Sequence, residues 1–244
     1  MTTSAHSNRS IYSIVTFIIL SACFCLTGCK DNNKTSSPQP DIAVANSYLN
    51  AVVKDLCGNQ QVFDLVPPGM CPGHFDISPS QVNMLCNCKI LFVFDFQKNI
   101  EKAVPRIKKR GLKVHTVTPS PGLCIPETYL IIAKQVAAAL SEQQPSQKDH
   151  YKSRLKEIKQ RLEKLSRSTA DHIKKTRLKG TKVITSQHQA EFIKWLGLEC
   201  VSTFAGRDTV TPTQIEQNLQ KAKQNKIKFV IANKQEGTKM AKSL

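Results

Sequence analysis

Along this chain, short continuously apolar runs alternate with segments whose apolar residues recur every three or four positions. Ile42-Ala43-Val44-Ala45 is the first such run; Gln61 to Val66, Lys89 to Phe96 and Leu112 to Val117 follow it. Unbroken hydrophobicity is what a strand covered on both faces of a parallel sheet requires. Between the runs, Leu49, Val52, Val53 and Leu56 take helical intervals, with Asn46 or Ser47 as N-cap and Gly58 just past the end. Ser78-Pro79 opens the next helix, with Val82, Leu85 and Cys86 on its inner face. Ile100 to Arg110 reads as a helix closed by Gly111, and Tyr129 to Leu140, largely Ile, Ala and Val, as another. Alternation at this spacing predicts parallel βα units and a first lobe over residues 41–142.

A polar break, Glu142 to Gln147, separates this lobe from a segment with no helix breaker until about Leu178. Leu155, Ile158, Leu162, Leu165 and Ile173 line one narrow side of it, so residues 146–178 read as a long linking helix. Some 30 residues at about 1.5 Å each would span roughly 45 Å. Gly180 ends it, and strands are predicted at Thr181 to Thr185, Glu199 to Phe204 and Ile227 to Ala232. Helices open at Ser186-Gln187-His188-Gln189 and Thr211-Pro212. Residues 180–244 are thus a second α/β lobe. Its final segment, Gln235 to Leu244, is amphipathic with Met240 and Leu244 inward, and no strand follows it, so this lobe reads as incomplete. The fold class expected is α/β: two lobes of parallel βα units bridged by one long rigid helix.

The amino terminus sets the compartment. A polar stretch with Arg9 and no acid precedes an apolar run from Ile11 to Leu26, and Leu26-Thr27-Gly28-Cys29 closes it. A basic flank and a short apolar core form an export signal rather than a spanning helix. The closing tetrad resembles the bacterial lipobox, in which the cysteine becomes the lipidated first residue. Residues 1–29 are therefore expected to be a lipoprotein signal peptide with Cys29 as the lipidation site, and residues 30–40 a flexible tether. The expected location is outside the cytoplasm, lipid-anchored to the membrane.

Charge changes the picture less than its size suggests. The chain carries 35 basic and 18 acidic residues, a net +17, and losing the leader removes only Arg9. Between Lys148 and Lys182, 13 basic residues stand against four acidic ones. That segment has only Tyr151 to stack on a base, and an exported lipoprotein rarely meets DNA, so nucleic acid is not expected as a partner. A solvated basic helix face, with attraction to anionic lipids, fits better.

Three loops carry candidate chemistry. Pro67-Pro68-Gly69-Met70-Cys71-Pro72-Gly73-His74-Phe75-Asp76 is stiffened by its prolines and glycines and presents a thiol and an imidazole. It is either an ordinary turn or one wall of a site. Pro119 to Glu127 is a second such loop and holds Cys124; His188 stands at the start of a second-lobe helix. All three follow predicted strands, and in parallel sheets such loops gather at the carboxyl edges, where ligands bind. Imidazole with thiolate favours borderline-soft metals, zinc first. No Ser–His–Asp order, phosphate loop or paired carboxylates point to an enzyme.

The arrangement resembles the zinc/manganese solute-binding proteins of bacterial ABC importers. Ala45-Asn46-Ser47-Tyr48-Leu49, the Pro-Gly-x-x-x-x-His loop followed by Ser78-Pro79-Ser80, the long helix, and Ser186-Gln187-His188-Gln189-Ala190-Glu191-Phe192 ahead of Trp195-Leu196-Gly197-Leu198 carry it. The resemblance implies a monomeric binding protein that delivers a divalent metal to a membrane permease, with His74 and His188 as ligands. The family's second first-lobe histidine is missing; Gly122 to Glu127 occupies its region, and Cys124 is the donor at hand there. The family's final carboxylate would lie beyond residue 244, leaving Glu236 as the nearest acidic candidate. A Cys/His set argues for zinc over manganese, which prefers oxygen.

Six cysteines remain after the leader and Cys29. Cys86 and Cys200 sit in apolar patterns and are expected in the core. Cys71 is either a thiolate ligand or half of a Cys71–Cys124 disulfide. Two rival functions stay open: a thiol-redox lipoprotein using Cys71 and Cys124, which lacks a Cys-x-x-Cys, and an adhesin or chelate-binding lipoprotein of the same fold.

Overall fold

Two parallel sheets absorb the apolar runs. The computed structural model describes residues 39–66, 77–97, 100, 104–108, 111–205, 211–234 and 237–244. The leader and Cys29, the loop with Cys71 and His74, and Glu236 lie outside the described residues. The first sheet contains β1 (Ile42–Val44), β2 (Val62–Asp64), β3 (Ile90–Phe94) and β4 (Lys113–Val117) in the order β2-β1-β3-β4. The second contains β5 (Lys182–Ser186), β6 (Glu199–Phe204) and β7 (Phe229–Ile231) in the order β6-β5-β7. Every pairing is parallel. The strand order changes sense once in each sheet, between β1 and β3 and between β5 and β7. Those are the switch points at which open α/β sheets leave a crevice.

β3 shows why its sequence is apolar throughout. Ile90, Phe92 and Phe94 point into one core, with α1 (Ser47–Cys57), α4 (Pro126–Gln143) and α5 (Lys148–Lys175). Leu91 and Val93 point into the other, beside Leu65, Leu85 and Cys88. Alternate residues of one strand thus fill two cores. Local signals agree with the packing. Asn46 caps α1, its Oδ1 accepting from the Leu49 amide at 3.0 Å. Ser78 and Gln81 form a reciprocal capping box at α2 (Pro79–Cys86).

The long helix α5 is held on the first lobe by its amino-terminal half. Tyr151 and Ile158 are buried against α1 and α4, with Leu155 and Leu162 beside them. The last carbonyls of α1, which have no partner within the helix, are met from α5. His150 Nε2 lies 3.0 Å from the Leu56 oxygen, and Arg154 Nε donates to the Asp55 oxygen at 2.9 Å. The Asp55 carboxylate takes Tyr129 Oη at 2.6 Å and pairs with Arg161. Beyond Leu162 this packing ends: Leu165, expected on the inner stripe, is 51% exposed. The helix then runs on to the second sheet, with its α6 (Ala190–Trp195), α7 (Pro212–Gln224) and α8 (Lys239–Ser243). The fold is therefore α/β, two parallel-sheet lobes bridged by one long helix.

Two further expectations are corrected. The helix expected over Ile100 to Arg110 does not run through: Val104 is not helical and α3 begins at Pro105, ending at Lys108. A proline ring drives the residue before it out of the helical region. Cys86 and Cys200 are only half-buried; Cys88 is the core cysteine, at 5% exposure, with its thiol donating to the Pro40 oxygen at 3.2 Å. Cys86 and Cys200 lie at a helix end and on an edge strand, where one side stays open. Phe92, fully buried at the centre of β3, anchors the first core. Phe92→Ala should lower the unfolding free energy by about 3–5 kcal/mol in chemical denaturation, with both sheets retained by circular dichroism.

Candidate metal cleft

Buried polar groups collect at the carboxyl edges of both sheets. Asn46, directly after β1, is 8% exposed, and its Nδ2 donates to Gln97 Oε1 at 3.1 Å. The same Gln97 oxygen accepts from the Phe94 amide at 3.0 Å. Gln97 is 2% exposed, yet its Nε2 has no hydrogen-bond partner among the described residues. The Tyr48 hydroxyl is in the same position. Its ring lies between Phe94 and Tyr129, with centroids 5.9 and 5.6 Å away. Burial, and then negative charge at Cys124, pushes this hydroxyl well above the ordinary tyrosine range. At the end of β2, Asp64 pairs with Asn50, and one carboxylate oxygen stays unpartnered. Across in the second sheet, Thr185 and Ser186 close β5 with buried hydroxyls, also unpartnered among the described residues. Protein interiors rarely leave such groups bare unless something else occupies them.

Cys124 lies on the loop between β4 and α4, immediately before the N-cap Ile125, as a free and exposed thiol. His188 is exposed on a 3-10 turn, Gln187–Gln189, between β5 and α6. The turns carrying these two residues converge through a residue that supplies no side chain. Gly122 holds φ +85°, and a β-carbon there would sit 2.4 Å from Ile125 Cδ1 and 3.1 Å from Glu191 Cβ. Glu191 stands in the first turn of α6, one turn past His188. So the first-lobe loop approaches the second-lobe helix at Gly122; a β-carbon there would displace Ile125 of its own loop and press Glu191 back by a few tenths of an ångström. The Glu191 carboxylate is engaged by Lys194 Nζ at 2.8 Å. Among the described residues, no three His, Cys, Asp or Glu side chains come together as a metal cluster. His74, Cys71 and Glu236 are outside the described residues.

Gly122 and Glu191 escape sequence reasoning because a contact between lobes has no local signature. The Gly-Pro-rich context of Gly122 marks a special turn and nothing more. Gln97 carries no signal, and Tyr48 enters only within the Ala45–Leu49 stretch; their placement follows from the parallel pairing of β1 with β3.

Two α/β lobes on one long helix, with buried polar groups at the carboxyl edges of both sheets, have the architecture of two-lobed solute-binding proteins. Residues 124–244 match the family described as ZnuA, zinc-uptake complex component A periplasmic. A manganese ABC transporter substrate-binding lipoprotein, PsaA of Streptococcus pneumoniae, is 25% identical over 241 residues, covering 86% of this chain and 76% of that protein. A solved zinc-bound ZnuA deletion mutant superposes with a TM-score of 0.69 at 19% identity, over 84% of this chain and 86% of the other. The laminin-binding adhesin Lmb of Streptococcus agalactiae superposes with a TM-score of 0.69 at 17% identity, covering 84% of each chain. The chain is thus similar in sequence, over residues 124–244 in the family match and over most of its length in PsaA, to the zinc/manganese solute-binding proteins of bacterial metal ABC transporters, and it shares their fold.

The described cysteines should separate by reactivity. Exposed Cys124 should alkylate first, and Cys57 and Cys88 last, because burial pushes both of the latter up to about 11. The ordinary thiol value is 9.0, so the unfolded chain ionises these two first. Their contribution to stability is full below pH 9 and disappears as pH rises to about 11. A denaturation midpoint that stays flat over that window would contradict the assignment.

Proposed function

We propose that this chain captures a divalent transition metal in the cleft between its lobes and delivers it to an ABC permease from outside the cytoplasm, held at the membrane by a lipid on Cys29. The lobes are residues 41–142 and 180–244, on the linking helix 146–178. Zinc is favoured over manganese because the donors on offer are imidazole and thiolate. His74 and His188 are the proposed principal ligands, with Cys124 in place of a further histidine and Cys71 and Glu236 as additional donors.

The observation that carries this reading is the convergence at Gly122. The loop bearing Cys124 touches, through a bare α-carbon, the helix whose first turn follows His188. Buried hydroxyls at Thr185 and Ser186, and the Gln97 amide, which have no partner among the described residues, make the surrounding edges polar enough to orient ligands from behind. The kinship with PsaA and ZnuA supports the same cargo class. A long helix seated firmly on one lobe favours small lobe movements on loading.

Purified protein should take up about one zinc per chain by elemental analysis, and the double variant His74→Ala/His188→Ala should take up none. Unchanged stoichiometry in that variant would contradict the proposal. Gly122→Ala should leave the circular dichroism spectrum intact but release zinc to a chelator roughly tenfold or more faster, since a β-carbon at φ +85° strains the turn, displaces Ile125 and presses on Glu191. A release rate equal to wild type would remove Gly122 from the closing contact.

A further inference from the structure

The second lobe concentrates positive charge at the end away from the cleft. Parallel strands bring their amino ends together, so β5, β6 and β7 all start at one pole, opposite Ser186. Register sets Lys182 beside Glu199 and Val183 beside Phe229, which puts Lys228 level with Lys182. The chain leaves α5 through Arg177 and Lys179, and leaves α7 through Lys226 and Lys228, all four exposed. Helix dipoles explain lysines in the last turns of α5 and α7, such as Lys175 and Lys223. They do not explain Arg177, Lys179, Lys182, Lys226 and Lys228, which lie outside the helices. The acidic group at this pole is Glu199, whose carboxylate stands 4.0 Å from Lys182. Among the described residues, none of the other four makes an ion pair with a carboxylate.

We infer that this basic pole docks on an anionic phospholipid surface. The groups are mostly lysines, point charges that suit a fluid layer of phosphates better than a fixed bidentate site. Phe229, 49% exposed, adjoins Lys228 at the same end. An aromatic ring flanked by lysine suits the boundary between headgroups and acyl chains. One ring does not make the successive stacking platforms that single-stranded nucleic acid requires. The inference rests on the membrane-tethered reading proposed above and not on the metal. Because this pole and the cleft are at opposite ends of the lobe, surface docking is a resting state that the tethered protein leaves to present its cleft to the permease.

The test uses residues 39–244, the compact unit that contains both cores and lacks the apolar leader. Sedimentation with phosphatidylcholine vesicles is compared with vesicles containing phosphatidylglycerol, at low and high salt. Binding should require the anionic lipid and fall with salt. Each lysine neutralised should lower partitioning roughly fivefold, so Lys179→Gln/Lys226→Gln/Lys228→Gln should lower it about a hundredfold. Circular dichroism verifies the fold of that variant, and its zinc stoichiometry should equal wild type, which separates the pole from the cargo cleft. Equal partitioning to neutral and anionic vesicles would overturn the inference. So would an unaffected triple variant, or tighter binding to a single-stranded oligonucleotide than to anionic vesicles at the same salt.

Discussion

The approach of Gly122 to Glu191 is the constraint on which the cleft depends. Two lobes built on separate sheets can share a small cargo only where their backbones come close enough for short side chains to meet. A glycine with positive φ provides that closeness in two ways. It turns the loop after β4, and it leaves no β-carbon between that loop and α6. The seating of α5 on the first lobe supports the same geometry from behind. Tyr151 and Ile158 bury one half of the helix, while Asp55 gathers Tyr129 and Arg161 at its flank. The other half, without such packing, reaches toward the second sheet.

The polar atoms at the carboxyl edges give the cleft its chemical character. Asn46 donates to Gln97 at the first switch point, while one Gln97 donor has no partner among the described residues. Thr185 and Ser186 repeat the pattern at the second sheet. Uncharged groups of this kind orient ligands and water without competing with them for a cation. The surface charge is arranged separately, with the basic pole on the amino edge of the second sheet. The proposed cargo site and the proposed surface contact therefore fall at opposite ends of one lobe.

Much of the fold was legible because local and global requirements agree. The run Ile90 to Phe94 is apolar because both its faces are covered, and Ser78, Thr211 and Gly58 mark helix ends by mechanisms confined to a few residues. Errors fell where tertiary context decides. Leu165 fits the helical stripe but lies past the last helix able to cover it. Cys86 and Cys88 are two residues apart, and only the path of the chain shows that Cys88 is the one turned inward. Pro105 did carry its own signal, a break in an apparently continuous helix, which the apolar periodicity masked. Of the candidate donors, the structure places Cys124 after β4 and His188 after β5, on strand-end loops as the sequence implied, while His74, Cys71 and Glu236 are outside the described residues. The contact joining two of those loops was not legible, because it is made by the absence of a side chain.

The central claim is that imidazole and thiolate from the two lobes surround one metal ion. X-ray absorption at the zinc edge of the zinc-loaded full chain tests it directly. Nitrogen scatterers at about 2.0–2.1 Å with imidazole outer-shell features, together with sulfur at about 2.3 Å, are the expected result. The sulfur signal should disappear in Cys124→Ser if that residue is the sole thiolate ligand, and should weaken if Cys71 also binds. A shell of oxygen alone, without histidine or sulfur, would contradict the account.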